Sequence, residues 1–268
     1  MHAARLPDRA AVGGVLREMR RGRRLSQLEL SLRVGVSQRH LSFIETGRSA
    51  PSRPMLLNLL DALEVPLPQR NDALLAAGFA PAFVQRAIDA PEMAPVRDAM
   101  NRLLVAHEPA PAMVLDATWD LVAANRGAHA LLGWLGAAPA ALAGADGRVN
   151  MLRATLAPGP LRAAMLDEQV VCAEVWHRAR REAAHHAPLA ALLDELAPHA
   201  PPQGDPGELH TPLPILTTRL RTSQGVLTFF SAFTTFGAPL EITTASLRIE
   251  HFFPADESTR GVFERGVR

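Results

Sequence analysis

Lysine is absent from this chain. All 28 basic residues among its 268 are arginine, which excludes chemistry that depends on a lysine amine, such as a Schiff base, a Walker A phosphate grip or a Ser–Lys dyad. Cysteine occurs once, at Cys172, so neither an intrachain disulfide nor a cysteine-rich zinc site can form. The first residues lack the apolar core and small-residue cleavage site of a signal peptide. Residues 127–145 hold no acidic or basic group except His129. They are mostly Ala and Gly with Pro139 inside, too poor in Leu, Ile, Val and Phe for a membrane span. A buried helix followed by a loop is expected there, with no membrane partner and a cytoplasmic location.

What is present is an ordinary globular composition, 48% hydrophobic and 21% charged, on a chain long enough for two modest domains or one large one. The net charge of +1 conceals a division. Residues 1–53 carry 11 arginines against four carboxylates, a local +7, whereas the remainder carries 17 against 23, or −6. A basic head on an acidic body calls for an anionic partner, and nucleic acid is the first candidate.

Helical periodicity with clear stops fills the first 80 residues. Val12, Val15, Leu16 and Met19 form one stripe over 10–22. Ser26, with Glu29 three residues on, makes a capping box for a second helix that has Leu28, Leu30 and Leu32 as apolar positions and ends at Gly35. Ser37 caps a third helix over 38–45, with Leu41 and Ile44 inward and Gly47 as its stop. Ser52 caps a fourth, with Pro54 in its first turn and Met55, Leu56, Leu59, Leu60 and Leu63 as its core face. A fifth runs over about 69–77. The short Val34-Gly35-Val36-Ser37 corner sets the second and third helices at a steep angle. The third then presents Gln38, Arg39, His40, Ser42 and Phe43 outward. Gln and Arg form bidentate pairs with base edges in the major groove, and Gln27 opens the second helix where a phosphate is readily bound.

The words Leu25-Ser26-Gln27-Leu28-Glu29-Leu30, Val34-Gly35-Val36-Ser37-Gln38-Arg39-His40-Leu41-Ser42-Phe43-Ile44-Glu45-Thr46-Gly47-Arg48 and Pro51-Ser52 resemble the Xre/Cro-like helix-turn-helix repressor family over roughly residues 10–65. The resemblance implies base reading by Gln38, Arg39 and Phe43, phosphate contacts at Gln27 and near Arg48, and an ion pair between Arg20 and Glu45. Phe43 departs from the small polar residue usual at its position. The candidate DNA-contacting set is therefore Gln27, Ser37, Gln38, Arg39, His40, Ser42, Phe43 and Arg48, with double-stranded DNA as partner.

From residue 81 to 96 the chain is expected to be a linker with a short helical piece around 84–88. Beyond it, Val96, Met100, Leu103 and Leu104 mark a helix, 112–116 and 120–123 two strands joined by a tight turn, and Asn125 the cap of a helix carrying Leu131, Leu132 and Trp134. One helix is expected over 160–184 and another over 188–196, with a loop over 198–212. Segments 215–221 and 226–236 flank Ser223-Gln224-Gly225 as a β-hairpin. A closing helix capped at Thr243 or Thr244 runs through 249–252, and residues 261–268 form a loose tail. Six of the ten phenylalanines fall between Phe229 and Phe253. A curved antiparallel sheet faced by helices commonly encloses an apolar ligand site.

The words Pro111-Ala112-Met113-Val114-Leu115-Asp116-Ala117-Thr118-Trp119-Asp120-Leu121-Val122-Ala123-Ala124-Asn125, Phe229-Phe230-Ser231-Ala232-Phe233-Thr234-Thr235-Phe236-Gly237 and Leu247-Arg248-Ile249-Glu250-His251-Phe252-Phe253-Pro254-Ala255-Asp256 are similar to the MmyB-like ligand-binding domain of bacterial regulators. That resemblance implies a PAS-like α+β domain over 97–260, following an Xre-type head over 1–80, and a small apolar effector such as a fatty acid. Met113, Leu115, Trp119, Phe229, Phe230 and Phe233 are the candidate ligand-lining residues. Around 167–171 the chain lacks the Asn-Trp pair associated with that family's middle helix. The expected architecture is multidomain, an all-α five-helix head plus an antiparallel sheet with helices, acting as a homodimer on a palindromic operator.

Other signals count for less. His177, His185 and His186 have no metal-ligand spacing, Cys172 suits a buried small hydrophobe, and Arg178, Arg180 and Arg181 beside Glu182 suit a solvated helix face. Ser231 lacks the G-x-S-x-G elbow. Two rivals remain: an enzyme with a DNA-binding head, which turnover dependent on Ser231 or His251 would reveal, and a C-terminal half used only for oligomerisation, which a cavity-free interior would favour.

Overall fold

The computed structural model describes residues 9–137, 142–144, 146–184, 186–201 and 215–267. They fall into two compact units, one comprising the chain up to Arg86 together with Ala238–Ala245, the other Ala87–Gly237 with Ser246 onward.

The first unit is a bundle of α1 (Arg9–Gly22), α2 (Gln27–Val34), α3 (Gln38–Glu45), α4 (Arg53–Ala62) and α5 (Leu67–Ala76). Ser26, Ser37 and Ser52 each accept a backbone N–H three residues on, and the Ser26–Glu29 capping box is complete. Val12, Leu16, Leu30, Leu41, Ile44, Leu56, Leu59, Leu60 and Leu74 share one core. A Cβ on Gly13 would lie 2.3 Å from the Ile44 carbonyl oxygen, so only glycine lets α1 approach the end of α3 this closely. Two expectations need correction. Leu28 and Leu32 are exposed, because on a helix only Leu30 of that alternating trio faces inward. Residues 80–87 are irregular rather than helical. Asn71 receives the Ala82 and Phe83 amides and donates to the Phe83 carbonyl, and these bonds take the place of a helical ladder at 82–83.

The second unit contains a turn of 3-10 helix at Pro91–Met93, then α6 (Ala94–Ala106), β1 (Ala112–Leu115), β2 (Leu121–Ala124), α7 (Arg126–Trp134), α8 (Met151–Leu156), α9 (Pro160–Ala164), α10 (Glu168–Ala183) and α11 (Ala187–Leu196). After these come β3 (Thr217–Thr222), β4 (Gly225–Thr235), β5 (Arg248–Pro254) and α13 (Glu257–Gly266), while the short α12 (Ile242–Ser246), between β4 and β5 in the chain, belongs to the first unit in all but its last residue. The sheet is antiparallel throughout, in the order β2-β1-β5-β4-β3. One face packs Ala112, Val114 and Ile249 on Met100 and Leu104 of α6. The other packs Met113, Leu115, Leu227 and Phe229 on residues of α7 to α11 and on Phe263 of α13. Asn125 caps α7 while also joining Ala112 N, Leu104 O and Ala110 O, so one amide ties α6, β1 and α7 together.

Several boundaries differ from expectation, each for a local reason. The helix expected over 160–184 is broken at Met165–Asp167, where Met165 bridges to Leu220 and Leu166 N donates to Arg219 O. Helix α8, outside the expected elements, is capped by Asn150. The closing helix through 249–252 is instead the central strand β5, whose two edges pair with β1 and β4. The expected tail is α13, capped by Asp256 and anchored by fully buried Phe263. Most of the 198–212 loop and His185 lie outside the described residues.

Candidate nucleic-acid interface and buried cavity

The outward face of α3 depends on what fixes α3 from behind. Gly35 takes the left-handed conformation (φ 71°) and Val36 N donates to Ser31 O, so α2 closes and α3 begins within three residues. At the far end, Glu45 is buried and grips Arg20 through two hydrogen bonds of 2.6 and 2.9 Å. Arg20 also donates to Leu25 O, and Gln27 Nε2 donates to Glu45 Oε2. Burial pushes the Glu45 carboxyl up, but hydrogen bonds from Arg20 and Gln27 and the charges of Arg20 and Arg17 outweigh it and hold the group below the usual carboxylate range.

With α3 fixed, Gln38 and Arg39 are exposed, and His40, Ser42 and Phe43 are half-buried beside them. Ser37 is occupied as the cap, its oxygen accepting from His40 N at 3.2 Å. Gln27 opens α2 as expected, though part of its amide is committed to Glu45. Arg48 follows Gly47 (φ 73°) in the next loop. The guanidinium carbons of Arg39 and Arg48 lie 5.4 and 6.0 Å from the centre of the Phe43 ring. Among the described residues, neither arginine has a carboxylate partner.

The second unit encloses a cavity of about 150 Å³ between the sheet and its helices. Its apolar wall includes Met113, Leu131, Met151, Leu161, Val171 and Phe252. Its polar wall includes Glu174, Arg178, Ser231 and Glu250. Strand alternation explains the sheet's share, since Ser231 pairs with Phe252, and Phe233 and Met113 both pair with Glu250, all on one face. Of the six lining candidates, Met113, Trp119 and Phe233 line the cavity. Leu115 and Phe229 are instead sealed in the adjoining core. Phe230 points to the opposite face, as the neighbour of Phe229 must, and stacks on Phe253 at 5.1 Å.

Sequence reasoning missed the charged groups here. Trp119 adopts φ 66°, unusual for a bulky residue. Asp116 holds that turn by accepting from Thr118 and from Asp120 N. The Trp119 indole donates to Glu182 at 2.9 Å and lies under the Arg248 guanidinium at 4.0 Å, while Arg248 also binds Glu182 at 2.6 Å. Arg178 lies 3.6 Å above the Phe233 ring centre, so it is part of the cavity wall and not of a solvated face. Burial pushes the Glu250 carboxyl up, against the opposing effects of Ser231, Arg178 and Arg248. Reading 248–254 as a strand would have placed Arg248, Glu250 and Phe252 on one face. The helix reading hid that alternation.

The structure does not bring Ser231 and His251 together. Ser231 and His251 sit on opposite faces of the sheet, because His251 pairs with Ala232. No group of three or more His, Cys, Asp or Glu is placed to hold a metal ion. Cys172 is buried, and burial raises its thiol pKa. His186 caps α11. Among the described residues no helix is long and apolar enough to cross a membrane.

A helix-turn-helix bundle and a ligand-binding α+β domain with an antiparallel sheet together define a DNA-binding transcription regulator. Residues 16–69 match the helix-turn-helix family, and residues 96–265 match the MmyB-like transcription regulator ligand binding domain. The chain belongs to the MmyB-like transcription regulator family. It is also similar to two crystal structures of the clp gene regulator ClgR from Corynebacterium glutamicum. One is 31% identical, with 26% of this chain and 87% of that chain covered and a TM-score of 0.23. The other is 26% identical, with 38% and 94% covered and a TM-score of 0.24. No curated protein matches the chain.

Proposed function

We propose that the chain is a sequence-specific regulator whose α3 enters the major groove and whose cavity binds a small apolar effector. The domain limits proposed are 1–80 for the head and 97 onward for the effector domain, with 81–96 between them. Two heads on half-sites about one helical turn apart supply affinity that one short helix lacks, so a homodimer is part of the reading. The observation that carries it is the exposed pair Gln38 and Arg39 at the start of a helix held rigid by Glu45. Gln27 and Arg48 are the phosphate contacts in this reading, with His40, Ser42 and Phe43 completing the surface.

The effector is an apolar molecule with a polar end, matching the Met, Leu and Phe wall and the Arg178, Ser231 and Glu250 end of the cavity. A fatty acid is the class the family resemblance suggests. At about 150 Å³ the cavity holds a short chain, below the range of about 300–1,000 Å³ typical of larger ligands. An effector alters DNA affinity only if it prefers one arrangement of the protein over another. Mass spectrometry of solvent extracts of the purified chain, followed by DNA titrations with short and long fatty acids, tests this. A bound apolar acid that shifts operator affinity supports it; absence of ligand with unchanged affinity removes the sensing half.

A further inference from the structure

We infer that Phe43 is a positioning residue for base reading, a ring that presets Arg39 and Arg48 for DNA. The inference rests on the reading of α3 as the groove-entering helix. Phe43 lies four residues after Arg39 on α3, the spacing that stacks side chains on one helix face. Its ring centre is 5.4 Å from the Arg39 guanidinium carbon and 6.0 Å from that of Arg48. Its backbone holds the following loop as well, because Ser49 N donates to Phe43 O at 3.1 Å. One residue therefore fixes both the recognition helix's arginine and the loop that carries the second.

The chemistry of the contact matters. A guanidinium attracted to a ring face keeps its N–H edge available, whereas one bound to a carboxylate has spent it. Among the described residues Arg39 and Arg48 have no carboxylate, so the ring orders them without occupying their donors. A free arginine edge matches guanine O6 and N7 or a phosphate. Arg39, on the exposed start of α3, is assigned the guanine. Arg48, beyond Gly47, is assigned a phosphate.

Selection of full-length chain from a randomised duplex pool tests the role, comparing wild type with Phe43→Leu, Phe43→Tyr and Arg39→Ala. Wild type and Phe43→Tyr are expected to select the same site with a fixed guanine. Phe43→Leu keeps apolar bulk but has no π face, and its preference for that guanine should fall about 2- to 5-fold. Arg39→Ala should lose the preference altogether. Unchanged thermal unfolding of Phe43→Leu separates this from misfolding. Equal guanine preference in wild type and Phe43→Leu overturns the inference while leaving DNA reading intact. Uniform binding of every sequence by wild type overturns both.

Discussion

Arg20 and Glu45 are joined by paired hydrogen bonds of 2.6 and 2.9 Å across 25 residues, both side chains nearly closed to water. They tie the last turn of α1 to the last residue of α3. Removing one partner of a buried pair leaves an uncompensated charge, which typically costs about 3–5 kcal/mol. Glu45→Ala should destabilise the head by that order. The three tryptophans, Trp119, Trp134 and Trp176, lie outside the head. Far-UV circular dichroism should therefore register the earlier transition while tryptophan fluorescence does not. Glu45 also has a depressed pKa. Such a carboxyl contributes stability above its unfolded pKa of about 4.3, and that contribution drains away as pH falls through the lower folded value. Acid should thus loosen the head below about pH 4.

Arg39 and Gln27 should separate on DNA. If Arg39 reads a base, Arg39→Ala costs about 1–3 kcal/mol on the specific site and little on unrelated sequence. Gln27→Ala should weaken all sequences alike, and it also removes a donor from Glu45, so a modest loss of head stability accompanies it. Filter-binding titrations on the selected site and on a scrambled duplex distinguish the two. A uniform loss for Arg39→Ala would assign it to phosphate.

Glu250 gives the effector domain a pH dependence of the opposite sign. Its folded pKa is raised by burial, so its contribution is fully present below the unfolded value and is lost as pH rises through the folded one. Glu250→Gln imitates the protonated form without the titration. Its melting temperature, followed by tryptophan fluorescence, should exceed that of wild type at pH 8 and converge with it near pH 4. A constant difference at both pH values would show that packing, not charge, decides the effect.

The head was legible in the sequence because its information is local. Serine caps, a capping box, Gly35 and a 3.6-residue apolar stripe each act within a few residues, and α2 to α4 follow from them. The exceptions are Val15, Leu28 and Leu32, apolar positions in the pattern that the fold leaves exposed. The cavity was less legible because its charged wall is assembled over long separations. Arg178 on α10, Ser231 on β4 and Glu250 on β5 meet only once the sheet order is known. Strand β5 itself carries a charged and aromatic mixture, Arg248 to Phe253, whose alternation makes sense only when both neighbours are in place.

Glu241 sets a last test within the first unit. Its buried carboxylate accepts from Arg86 N at 2.7 Å and from Thr244 N at 2.8 Å, while Ile242 N donates to Val84 O and Thr243 Oγ1 to Arg86 O. Burial pushes this carboxyl up, but the surrounding amides of Thr244, Arg86 and Thr243 outweigh it, and its pKa lies below normal. Hydrogen bonds to charged groups contribute about 1.5–3 kcal/mol each. In Glu241→Ala, amide exchange at Arg86 and Thr244 should therefore accelerate about 10- to 150-fold. The Ala82 and Phe83 amides, held independently by Asn71, serve as the internal reference and should keep their rates. Wild type should show the same selective loosening in acid, as Glu241 protonates. Equal acceleration at Ala82 and Phe83 would mean that the whole 82–86 segment opens together, and that the carboxylate is not what holds its end.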